Sequence, residues 1–149
     1  MSAYGRNMEG YPDPTATKAL SNVAKAEKTY LPLVYVCSKY SGDTVTNTEA
    51  AKRYSRFAVD AGAIPLAPHL LLPLYMKEDT ERDLAMFMDK VFLGKCDELW
   101  VFGTEASPGM CMEIEKAKKH RKKIRYFDTE CRETNIALNT GTGRKQEES

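Results

Sequence analysis

From Leu31 onward, apolar residues alternate between short unbroken runs and stripes at helical spacing. Leu33-Val34-Tyr35-Val36-Cys37 predicts a buried strand, and the polar Ser38-Lys39-Tyr40-Ser41-Gly42-Asp43 predicts the turn that follows it. Ala51, Tyr54, Phe57, Ala58 and Ala61 share one face of a predicted helix that stops at Gly62. Ala63 to Ala67 reads as a second strand, with Pro65 requiring an edge position because it cannot donate to a neighbour. After a Pro-rich connection, Thr80-Glu81-Arg82-Asp83 opens a second helix with the stripe Leu84, Phe87, Met88, Val91 and Phe92. Asp97 to Phe102 is a third strand, a third helix runs from Ser107 to about Lys122, and Ile124 to Phe127 is a fourth strand.

Strands alternating with helices of this length imply a doubly wound α/β fold, a mainly parallel sheet of four to five strands flanked by helices. Residues 31–130 form this domain. The first 30 residues read as an accessory arm, with at most a weak helix from Thr15 to Lys28, and 131–149 as a polar, mobile tail. Parallel sheets bind ligands at the carboxyl ends of their strands. That rule gathers the turn after the first strand, Pro68 and His69 after the second, and Gly103 to Gly109 after the third on one rim.

Composition narrows the class. The chain has 149 residues, of which 22 are basic and 21 acidic, so its net charge of +1 gives no pull towards nucleic acid or anionic membranes. The basic run Lys118 to Lys123, which contains His120, lacks interleaved aromatics and suits a helix C-terminus. The four cysteines have no metal-ligand spacing and read as reduced thiols, so no metal is expected. No apolar stretch is long enough to span a membrane, and the N-terminus lacks the pattern of a secretory signal. A cytoplasmic protein is the expectation.

The candidate chemistry centres on Ser107-Pro108-Gly109-Met110-Cys111-Met112-Glu113. Ser107 suits an N-cap, Pro108 the first helical position, and Gly109 a close approach of ligand to main chain. Free N–H groups of such a first turn favour an anion, although a well-capped surface helix would use the same residues. Glu113 lies one turn on, beside the apolar Met110, Ile114 and Ala117, a poor place for a merely solvated carboxylate.

Taken together, Tyr35-Val36-Cys37-Ser38 with Gly42, Glu81-Arg82-Asp83-Leu84, Cys96 to Val101, and Ser107-x-Gly109-x-x-x-Glu113 resemble the nucleoside 2-deoxyribosyltransferase superfamily, which includes the 2'-deoxynucleoside 5'-phosphate N-hydrolases. The likeness runs from Leu31 to Phe127 and is nearest to a bacterial and phage branch whose activity is inferred. It implies a flavodoxin-like, Rossmann-like fold and no cofactor. It also implies a small-molecule nucleoside or nucleotide as partner and a homo-oligomer, dimer or higher. By the same resemblance Glu113 is the nucleophile, Asp83 assists departure of the base, and Tyr35 bonds the nucleophile and sugar. Ser107 would hold a 5'-phosphate, with Gly109 and Met110 beside it and Ser38, Lys39, Gly42 and His69 completing the binding set.

For three of these the residues also allow plainer roles. Asp83 could close a helix through Thr80-x-x-Asp83, Tyr35 could be a core aromatic, and His69 a rim residue without ligand. Cys111 and Asp43 depart from the family pattern, and Asp43 would repel a phosphate unless Lys39 compensates. Two functions are implied: cleavage or transfer at the N-glycosidic bond of a 2'-deoxynucleoside or its 5'-monophosphate, or a non-catalytic module that senses or sequesters a nucleotide or ADP-ribose-like signal.

Overall fold

The computed structural model describes residues 30–134 and 139–140. Contacts divide the chain into two units, 1–31 and 32–149, and the sheet and its helices belong to the second. The weak helix expected over Thr15 to Lys28 lies outside the described residues.

Five strands, β1 (Leu33–Cys37), β2 (Ile64–Leu66), β3 (Glu98–Phe102), β5 (Lys123–Phe127) and β6 (Glu133–Thr134), form a sheet in the order β2-β1-β3-β5-β6. The first four run parallel, and β6 joins β5 antiparallel. Among the described residues four α-helices accompany them: α1 (Thr44–Asp60), α2 (Pro68–Leu71), α3 (Arg82–Lys95) and α4 (Pro108–Lys119). A short pair, β4 (Glu105–Ala106) with β7 (Asn139–Thr140), stands apart. The fold is therefore mixed α/β around a mostly parallel sheet. Among the described residues no helix is long and apolar enough to cross a membrane.

Strand parity divides the core. Val34, Val36, Trp100, Phe102 and Phe127 face α1, where they pack with Tyr54 and Ala58. Tyr35, Cys37, Leu99 and Val101 face α3 and α4, where they meet Leu93, Met110, Ile114 and Ala117. The first layer is an aromatic stack: Phe102 lies 4.5 Å from Tyr54 and 4.8 Å from Phe127, ring centre to ring centre. The second layer carries the chemistry.

Local features explain the ends. Asp43 caps α1 by accepting from the Thr46 N–H at 3.1 Å and from its hydroxyl at 2.8 Å. Gly42 and Gly62 adopt φ of +97° and +88°, the left-handed backbone that glycine reaches without a Cβ clash. Pro65 sits in β2, which bonds only to β1 among the described strands, as an edge proline should.

Two expectations needed correction. Of the stripe expected on the second helix, Leu84, Phe87 and Val91 face outward, 51%, 63% and 43% exposed, whereas Met88 and Phe92 are half-buried, Phe92 against the core beside Leu93, and α3 turns Met86 and Asp89 inward. The segment beyond Cys131 is not all tail, because Glu133 and Thr134 form β6. That strand is held by a bidentate ion pair in which Arg125 Nη2 and Nε donate to Glu133 at 2.6 and 2.8 Å.

Candidate active site

Glu113 lies in the second turn of α4, on the helix face that Met110, Ile114 and Ala117 turn to the sheet. That face meets Tyr35 and Cys37 of β1, and the Tyr35 hydroxyl donates to Glu113 Oε2 at 2.6 Å. The Cys37 thiol, beside it on β1, also favours the charged form of that carboxylate. Burial nevertheless pushes the Glu113 carboxyl up to about 7, because the two donors only partly offset desolvation. Asp89, on the inner side of α3, is a second, half-buried acid, raised to about 6 by the same cause. Its Oδ1 is buried and has no hydrogen-bond partner among the described residues. The charge of Asp89 also raises Glu113.

Both acids open onto a cleft of about 380 Å³ at the carboxyl ends of β1 and β3. Its walls bring together Tyr35, Ser38, His69, Ser107, Gly109, Met110 and Glu113, gathered from β1, α2 and α4. Ser38 Oγ and His69 Nε2 are 3.2 Å apart, and the His69 ring stands 5.6 Å from that of Tyr40. Burial lowers His69 to about 4, so it faces the cleft as a neutral imidazole.

Three residues of the expected set do not line this space. Asp83 is exposed in the first turn of α3, where its charge complements the helix dipole. The residue preceding α3 is Glu81, whose carboxylate accepts from the Lys77 N–H instead of closing the helix. Lys39 points to solvent, and Gly42 serves the turn into α1.

Ser107 is engaged as an N-cap. Its hydroxyl accepts from the Met110 N–H at 3.2 Å, and its own N–H points at Met110 Sδ at 3.5 Å. Pro108 has no N–H, so Gly109 is left as the donor of that first turn.

Asp89, Tyr40, Met76, Glu78 and Arg82 also line the cleft and were not among the residues singled out in the sequence. Asp89 had a signal: it shares a helix face with Ala85 and Leu93, one turn either side.

A buried, hydrogen-bonded carboxylate beside a second protonatable acid can act as nucleophile or base while its neighbour carries a proton. No curated protein matches this sequence. The profile of DUF7768, a domain of unknown function, matches residues 32–127, which span the sheet from β1 to β5 and include Tyr35, Cys37, Asp89 and Glu113, and the chain belongs to that family.

Proposed function

We propose that this domain cleaves or transfers at the N-glycosidic bond of a 2'-deoxynucleoside, or of its 5'-monophosphate, with Glu113 as nucleophile. The observation that carries the reading is the 2.6 Å bond from Tyr35 to a carboxylate buried on a cleft wall beside Asp89. Ionised Glu113 attacks the anomeric carbon, a C–O bond forms, and the C–N bond breaks with its electron pair leaving on the base. The base needs a proton, which Asp89 supplies in place of the exposed Asp83 from the less populated form of the pair, since Glu113 at about 7 holds its proton more tightly than Asp89 at about 6. Asp89 then takes a proton from the water or second base that displaces Glu113. The strand order supports a flavodoxin-like assignment, and the reading sets the enzyme in the cytoplasm.

Charge favours the nucleoside over the monophosphate. Glu78, Asp89 and Glu113 line the cleft, whereas Arg82 is its one cation among the described residues and lies 4.0 Å from Glu78. With Pro108 lacking an N–H and the Met110 N–H engaged in the cap, a phosphate would find only the Gly109 N–H and the Ser107 O–H as donors on that turn. Incubation with the four deoxynucleosides and their monophosphates, followed by chromatography for free base, is the test. Base released from nucleosides at least tenfold faster than from monophosphates is the expected result. Saturable binding without product would replace the enzyme by a sensing module.

The outward stripe of α3 supports a homo-oligomer, since Leu84, Phe87 and Val91 make an apolar helix face that a second copy would cover. Light scattering after size exclusion should give at least twice the mass of one chain, and Phe87→Glu should reduce it to the monomer. A monomeric parent protein would remove this inference.

A further inference from the structure

At the edge of the sheet opposite the cleft, α4 runs out into the basic segment 116–123. Lys123 is the first residue of β5 and pairs with Glu98 at the start of β3, so the segment lies at the amino ends of the strands. Six of the chain's 22 basic residues stand in those eight positions with no acidic residue among them, although the whole chain carries only +1. We infer that this edge is a binding surface for the phosphodiester backbone of double-stranded nucleic acid, engaged without regard to base sequence.

The helix dipole accounts for only part of this charge. Lys118 and Lys119 lie in the last turn of α4, where cations complement the carbonyl end, and Lys118 also pairs with Glu115 at 3.7 Å. Arg121 and Lys123 lie beyond the helix, and Arg121 occupies a position that suits another residue. α1 and α4 end in the same motif: the N–H groups of Gly62 and Ala63 donate to Val59 O and Ala58 O at 3.0 and 2.9 Å, and those of Arg121 and Lys122 to Lys118 O and Ala117 O at 3.0 and 2.9 Å. The residue after the cap turns left-handed in both, with φ of +88° at Gly62 and +58° at Arg121. Glycine adopts that backbone freely, whereas the Cβ of an arginine is crowded there. A guanidinium is thus held at the tip of the segment against the local backbone preference, and such strained positions cluster where ligands bind.

Lys122 fixes the surface in place. Its ammonium donates to Gly94 O at 3.1 Å and Cys96 O at 2.7 Å, which ties the segment to the end of α3 and sets the exposed Lys95 beside it. Among the described residues no salt bridge takes up Lys95, Lys119, Arg121 or Lys123, all four exposed. The acids of the same edge are engaged elsewhere, Asp97 with the Leu33 N–H and Glu98 with the Trp100 ring N–H, each at 2.8 Å.

What the segment lacks selects the partner. Its one apolar residue, Ala117, is buried, so nothing can enter a bilayer, and it has no aromatic on which unpaired bases would stack. An acidic peptide would lose conformational freedom on binding, whereas a duplex brings its phosphates already ordered.

This surface does not depend on the glycosidase reading. The test is fluorescence anisotropy of the full chain with short labelled DNA duplexes of two unrelated sequences, compared with their single strands, phosphatidylserine vesicles and polyglutamate. Both duplexes should bind within about threefold of each other, with Kd on the order of 10⁻⁵ M at 50 mM salt. Four phosphate contacts give a slope of log K against log salt of about −3.6, a loss of roughly 100-fold between 50 and 200 mM. Lys95→Glu combined with Lys119→Glu should weaken binding at least tenfold.

Arg121→Gly separates a binding role from a structural one. It should reduce the salt slope by about 1 and weaken duplex binding at least threefold, yet unfold at a higher urea concentration than the parent, because glycine suits the left-handed position. A residue kept for the fold would lose stability instead. Unchanged affinity and slope in the folded Arg121→Gly protein would overturn the proposal, and so would lower stability of that variant. Absence of duplex binding at 50 mM salt, a preference above tenfold between the two sequences, or equal or tighter binding of single strands, vesicles or polyglutamate would do the same.

Discussion

Glu113→Gln should abolish base release and, above pH 7, leave a more stable protein than the parent. Glutamine keeps an oxygen for the Tyr35 hydroxyl but cannot form the glycosyl ester, so turnover should fall by about 10³-fold or more. The stability gain follows from linkage. Burial raises Glu113 from 4.5 to about 7, so the folded state holds its proton more tightly than the unfolded chain does. That contribution is fully present below about pH 4.5 and is lost as pH rises through about 7, where an ionised carboxylate sits desolvated. A shift of this size corresponds to at most about 3 kcal/mol, and the glutamine variant escapes that cost.

His69 works in the opposite direction, because its folded value is depressed from 6.5 to about 4. Its contribution is present above pH 6.5 and is lost as pH falls towards 4. In the variant the slope of Asp89, raised from 3.8 to about 6, largely offsets that of His69, and in the parent Glu113 adds to it, so the parent should lose stability relative to the variant as pH rises from 4.5 to 7. Urea denaturation of both proteins at pH 5 and pH 8, with base release measured alongside, checks each part. Turnover in the variant within tenfold of the parent's would remove Glu113 from the reaction.

Phe102→Ala should cost about 3–5 kcal/mol, a large part of the roughly 5–15 kcal/mol that holds a domain together. Phe102 is fully buried on the α1 face, stacked on Tyr54 with an interplanar angle of 9° and on Phe127 at 16°, with the Phe57 ring edge-on 6.1 Å away. Truncation removes three aromatic contacts and leaves a cavity that rigid neighbours cannot fill. Phe87→Ala, on the outward face of α3, should cost under about 1 kcal/mol in one isolated chain. Urea midpoints of the two variants decide it, and equal losses would mean that burial is misassigned.

The four parallel strands and the start of α4 were legible because unbroken apolar runs such as Leu33 to Cys37 leave no other reading, and because Ser107-Pro108-Gly109 marks a helix start by local chemistry alone. The nearness of Tyr35 to Glu113 was legible only in outline. The two are 78 residues apart, and it is strand parity combined with the packing of α4 that joins them. The facing of α3 was misread because its inner side carries Ala85 and Asp89 where large apolar residues would be expected, while Leu84, Phe87 and Val91 repeat at the same period on the outer side. A helix that spends its buried face on an acid is easily turned the wrong way when hydrophobicity alone is used to orient it. β6 and β7 have two residues each, too short for any period, and β6 is placed by the reach of Arg125 to Glu133 across the sheet edge.

Pro65 has a consequence for how such a molecule can assemble. The N–H of Ile64 donates inward to Pro32 at 2.8 Å, so by alternation the next position along β2 is the one whose amide would point away from the sheet, and there the proline ring leaves no hydrogen to offer. At the opposite border β6 ends after two residues. A foreign strand thus finds neither margin a usable template for continuing the ladder, which guards against the runaway stacking that open sheets invite.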